Sequence, residues 1–82
     1  MDASLLHGPV KRSVTIAGHQ TSISLEPMFW SALEEQARST GQPLNALVAA
    51  IDAARLDAPS PPNLTSAIRQ WLFDRSRSAG HG

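Results

Sequence analysis

At 82 residues the chain has room for one domain with one modest core. It contains no Cys, which excludes a disulfide framework, a thiolate zinc site and a Cys nucleophile. Seven basic and seven acidic residues give zero formal charge, which weighs against a strong non-specific polyanion binder. The opening stretch MDASLLHGPVKRSV has no apolar run of signal-peptide length, and nothing approaches a membrane span, so the expectation is a cytoplasmic protein with no membrane partner.

In chain order, residues 1–10 read as a flexible arm broken by Gly8-Pro9. Val14 and Ile16 alternate with Ser13 and Thr15, and Ile23 and Leu25 alternate with Ser22 and Ser24. Both patterns fit half-buried strands. The first apolar pair stands on even positions and the second on odd ones, so the register is reset at Ala17-Gly18-His19-Gln20, with Gly18 the natural bulge or turn. The chain either folds back as a hairpin or continues as one kinked strand. In both cases one face is apolar and the other carries hydroxyls and amides. The charge is unevenly placed: Lys11 and Arg12 stand at the mouth of this segment, and no acid occurs between Asp2 and Glu26.

Glu26-Pro27 opens a helix, with Pro at a first-turn position, and Phe29, Trp30, Leu33 and Ala37 follow helical spacing. Gly41 ends it as a left-handed cap. Pro43 starts a second helix, whose Leu44, Leu47, Val48, Ile51 and Ala54 form an apolar stripe wider than one short partner helix requires. The Pro-rich stretch 57–62 is a connector. Asn63 caps a third helix over 63–76 that carries Leu64, Ala67, Ile68, Trp71 and Leu72 on one face. Residues 77–82 read as a disordered tail.

Catalytic chemistry is not indicated. His7, His19 and His81 lack metal-ligand spacing, Glu34 and Glu35 point to different helix faces, and neither a nucleophile elbow nor a phosphate-binding Gly loop occurs. The expectation is no enzyme, no cofactor and no metal. Phe29, Trp30, Trp71 and Phe73 read as core or interface anchors rather than base-stacking platforms. The bland reading of the Ser/Thr alternation is the wet face of a sheet.

The ordered string TSISLEPMFWSALEEQARSTGQPLNALVAAID resembles the ribbon-helix-helix fold of the methionine-repressor and Arc class. It has a short alternating strand, a helix directly after it, Gly41, and a second helix with Asn45 in its first turn. The longer KRSVTIAGHQTSISLEPMFWSAL is similar to a bacterial subfamily in which an Arg-Ser-Val-x-Ile segment, a Gly-His and a Thr-Ser precede Phe-Trp. The resemblance covers roughly residues 11–55; the domain is placed at 11–56, and the third helix lies outside the minimal fold.

The resemblance implies a mainly α chain with a short N-terminal β-ribbon, assembled as an intertwined homodimer, plus an additional C-terminal helix. The ribbon would pair with that of a second chain, and the monomer would not be stable alone. Ile23, Leu25, Phe29, Trp30, Leu33, Leu47, Val48 and Ile51 would form the dimer core. The polar side of the ribbon would enter the major groove of double-stranded DNA, with Gln20, Ser22 and Ser24 meeting base edges, Ser13 and Thr15 as further contacts, and Lys11 and Arg12 reaching phosphates or the groove edge. Backbone amides at Leu44 and Asn45 would meet a phosphate. Transcriptional regulation is the implied role. No Arg or Lys occurs between positions 13 and 25, so guanine readout falls to the arm, and Pro43 stands where such proteins often carry a Ser or Thr cap. The alternative is an antitoxin-like module whose C-terminal helix grips a protein partner, with its Leu64, Ile68, Trp71 and Leu72 face exposed until that partner arrives.

Overall fold

A computed structural model describes residue 3 and residues 6–79; parts of the expected arm and tail, 1, 2, 4, 5 and 80–82, lie outside the described residues. Strands β1 (Val10–Ile16) and β2 (His19–Leu25) form an antiparallel hairpin within one chain. Its turn is the two residues Ala17 (φ 51°) and Gly18 (φ 82°). Two successive left-handed residues make the type I′ turn that matches strand twist. Gly18 adopts its conformation freely, whereas Ala17 holds one that costs an L-residue about 1–2 kcal/mol.

The hairpin accounts for the change of parity. Val14 stands opposite Thr21, Arg12 opposite Ile23 and Val10 opposite Leu25. Even positions of β1 therefore share a face with odd positions of β2, and a kinked single strand is ruled out. The partner of residues 13–16, open in the sequence, is the same chain.

Three helices follow: α1 (Pro27–Ser39), α2 (Leu44–Leu56) and α3 (Leu64–Ala79). Pro27 is the first residue of α1, where its missing N–H is not needed. At the other end, Gly41 (φ 69°) takes the left-handed position. The Gly41 and Gln42 amides donate to the carbonyls of Arg38 and Ala37, at 3.2 and 3.0 Å. That pair of bonds is the Schellman closure. Pro43, in extended conformation, is the residue just before α2 rather than within it. Asn63 caps α3 by accepting the Ser66 amide on Oδ1 at 2.8 Å.

The third helix runs to Ala79, beyond the expected end at residue 76. Its last turns carry their own support. The guanidinium of Arg75 lies over Trp71 and that of Arg77 over Phe73, each four residues back, at 4.8 and 6.0 Å from the ring centroids. Positive charge near a helix C-terminus is also favourable.

The core joins all five elements. The hairpin contributes Val14, Ile23 and Leu25, α1 Trp30, Leu33 and Ala37, α2 Leu47, Val48 and Ile51, and α3 Ile68 and Leu72. The middle of the α2 stripe, Leu47, Val48 and Ile51, is covered by the chain's own α3 and β1, while Leu44 is half-buried and Ala54 exposed. Full burial of a Leu or Ile stabilises by about 1.5–3 kcal/mol, and Leu25, Leu33, Val48 and Ile68 are all at 0% exposure. None of these residues needs a second chain to leave water. Among the described residues no helix is long and apolar enough to cross a membrane.

Candidate nucleic-acid interface

The hairpin register assembles a polar face. Lys11 stands opposite Ser24, Ser13 opposite Ser22, and Thr15 opposite Gln20. Side chains of directly opposed residues share a face, so these six lie together on the side of the ribbon away from the helices. Five are exposed and Ser24 is half-buried. None makes a side-chain hydrogen bond or ion pair among the described residues. The face therefore offers one ammonium, four hydroxyls and one carboxamide, with no acid among them. Such a surface can donate to phosphate oxygens and pair with base edges.

Arg12 is not part of it. It stands opposite Ile23, on the helix side of the ribbon. Its guanidinium lies 4.5 Å from the Trp30 ring centroid, and Nη1 donates to Glu34 Oε1 at 2.9 Å. Arg12 thus seals the rim over Trp30, whose Nε1 donates in turn to the Val10 carbonyl at 2.9 Å. These contacts clamp β1 to α1. The signal was present in the sequence: position 12 shares its parity with Val14 and Ile16.

The residues expected to fill a dimer core pack within the one chain described. Ile23, Leu25, Trp30, Leu33, Leu47, Val48 and Ile51 are buried, and Phe29 is half-buried. Ile68 and Leu72 of α3 complete this cluster. At the N-terminus of α2, Leu44 is half-buried and Asn45 exposed. No side chain caps this helix end, and its first amides have no intrahelical acceptor. The Ala46 and Leu47 amides reach the Pro43 carbonyl at 3.1 and 3.2 Å.

Sequence reasoning missed the brace at the root of the ribbon. Glu26 follows β2 and precedes α1, and both its carboxylate oxygens accept from Arg69 of α3, at 2.8 and 3.0 Å from Nη2. The hydrogen bonds from Arg69, aided by a backbone amide, hold the Glu26 carboxyl below the usual glutamate range. A separation of 43 residues leaves no local signal for such a pair. A second tie joins Arg55 to Asp52 at 2.7 Å and to the Pro62 carbonyl at 3.2 Å, fixing the connector to α2. Among the described residues no group of three or more His, Cys, Asp or Glu is placed to hold a metal.

Among the described residues the sheet has two strands, so β2 also has a free edge. In a two-residue hairpin the residues flanking the turn form a bonded pair, and bonded pairs then alternate. Ile16 and His19 flank this turn. Gln20, Ser22 and Ser24 therefore aim their backbone N–H and C=O groups away from β1, toward the open edge.

An antiparallel ribbon of alternating residues, a helix directly after it and a second helix beyond a glycine cap define a ribbon-helix-helix protein. Consistent with that architecture, residues 9–75 match a family profile described as a ribbon-helix-helix domain. The chain belongs to that family, a DNA-binding fold, and the match extends through most of α3. Searches of curated proteins and of solved structures found no match.

Proposed function

We propose that this chain is a homodimeric, cytoplasmic DNA-binding protein that regulates transcription by setting the polar face of its ribbon in the major groove. The observation that carries the reading is the six-residue polar face, free of acid and with no side-chain bond among the described residues, in a member of this family. A β-ribbon fits the groove. Zero net charge is compatible with specific binding because the charge is unevenly placed: the polar face carries Lys11, with no ion pair among the described residues, and no acid, while Glu34, Asp52 and Glu26 are bridged to Arg12, Arg55 and Arg69 elsewhere. The Leu44 and Asn45 amides are donors of the kind that hold a phosphate.

The open edge of β2 is where two copies would join. A two-fold axis beside β2 pairs residues whose numbers sum to a constant. An even sum sets Gln20, Ser22 and Ser24 beside their counterparts, polar face with polar face. It also sets Ile23 and Leu25 on the shared apolar side. The hydrogen-bonding direction derived above makes the even sums the bonded ones. The partner-gripping alternative has less support: the α3 face it requires exposed is covered by its own chain, with Ile68 at 0% and Leu72 at 7% exposure.

The test is fluorescence anisotropy on random genomic duplexes across a salt series, with protein mass measured by light scattering. The expected outcome is a dimer whose binding weakens linearly in log affinity against log salt. A dimer indifferent to duplex DNA at low salt sinks the DNA-reading function, and a monomer at binding concentrations sinks the β2-edge assembly.

A further inference from the structure

We infer that the two strands of each hairpin have different ligands: β2 reads base edges in the groove, and β1 holds the phosphates that flank it. This rests on the dimeric DNA-binding reading above and deepens it.

The first argument is width. Pairing β2 with its copy gives the strand order β1-β2-β2-β1. Three inter-strand spacings of about 4.8 Å put the outer strands roughly 14 Å apart, whereas the major groove is about 12 Å wide. Two strands enter; four do not. The central pair fills the groove and each β1 rides over the sugar-phosphate wall beside it.

The second argument is chemistry, and it is independent of the first. Strand β2 presents Gln20, whose amide can pair with adenine through two hydrogen bonds, together with Ser22 and Ser24. Strand β1 presents Lys11, Ser13 and Thr15, and Lys11 is the one charged group of the six; an ammonium with two hydroxyls beside it is a set of phosphate ligands, whereas β2 carries the one carboxamide and no charge. The alternation of bonded pairs also turns the Lys11, Ser13 and Thr15 amides outward from the hairpin, toward the flank where the phosphates would lie. The clamp from Arg12 and Trp30 holds this strand at a fixed height against α1, so its position does not depend on DNA.

The experiment uses the full chain and a duplex that wild-type protein selects from a random pool, with that duplex's single-base variants and an unselected duplex as comparisons. Lys11→Ala is expected to weaken binding to all of them by one common factor. It should also reduce the salt slope by about 0.9 per phosphate released, about 1.8 for two chains, and Lys11→Arg should restore the slope. Gln20→Ala is expected to leave the slope unchanged and to erase a preference of about 5- to 150-fold at symmetric base pairs. Circular dichroism confirms that each variant is folded.

If Lys11→Ala or Thr15→Ala alters base preference, the division is overturned and a single hairpin lies in the groove with both strands. Salt-dependent binding from which no preferred duplex can be selected overturns the base-reading role of β2. Folded wild type that binds no duplex at any salt overturns the underlying DNA reading, a result distinct from either.

Discussion

On the ribbon, the side chains of Lys11, Ser13, Thr15, Gln20 and Ser22 face solvent and make no hydrogen bond or ion pair among the described residues. On α3 and its connector the polar residues that meet the protein are held: Arg69 by Glu26, the Ser66 amide by Asn63, and the Pro62 carbonyl by Arg55. Both regions are amphipathic, yet α3 and its connector commit these groups to the fold, while the ribbon commits Arg12 on its inner face and keeps the outer face open. A hydrogen bond inside the chain adds modestly to stability. A polar group left in water adds nothing to stability and is available to a ligand. The division assigns α3 to architecture and the outer ribbon to recognition, and substitutions on each should affect different measurements.

The largest effect is expected from Ile68→Ala. Ile68 has no exposure and sits where α3 closes over α2, α1 and β2. Truncation of a buried Ile costs about 2–5 kcal/mol, and each kcal/mol shifts Tm by about 4–8 °C in a domain of this size. Thermal melting by circular dichroism should show a loss of ten degrees or more, or no cooperative transition. A loss below about 1 kcal/mol would mean that the core closes without α3, and the helix would revert to a candidate partner-binding arm.

How much of this was legible depended on distance along the chain. Local signals located every element: the parity break at Ala17-Gly18, Pro27, Gly41 and Asn63 each punctuate the chain where the structure does. The polar face was legible too, since alternation alone sets Ser13 and Thr15 on one side and Gln20, Ser22 and Ser24 on the other. Parity also sets Arg12 with Val14 and Ile16 on the helix side, but its bond to Glu34, 22 residues away, and its seat over Trp30 depend on long-range packing and carry no local signal. The pairing of Glu26 with Arg69, and the covering of the α2 stripe by α3, were not legible. Composition shows that a stripe needs a cover, but whether the cover comes from the same chain or another is fixed by long-range packing.

A smaller effect is expected from acid. The Glu26 carboxyl is held below its ordinary range by Arg69, so the folded protein binds its proton less readily than the unfolded chain does. The stability this supplies is complete above the ordinary glutamate range and is lost as pH falls through the depressed folded-state value. Melting measured from neutral pH down into the acid limb should therefore show wild type losing more stability than Glu26→Gln. The two should converge once the carboxyl is protonated. Curves that stay parallel throughout would show that the brace contributes nothing in solution, as exposed ion pairs often do.

The smallest stability change is expected where the functional effect is greatest. Ser22 is exposed at the middle of β2, opposite Ser13 and on the outer face. Ser22→Val places a β-branched side chain on a strand, a substitution that strand propensity favours and that crowds nothing in one chain. Its effect on stability should stay within about 0.5 kcal/mol. Yet it removes a hydroxyl from the centre of the proposed reading surface and puts two methyl groups there, so affinity for a selected duplex should fall while the melting curve holds. A variant that loses both together would show the outer face to be packed in the solution assembly, and the open polar surface would then be an interface between chains. A variant that loses neither would remove Ser22 from the recognition surface and leave Gln20 and Lys11 to carry it.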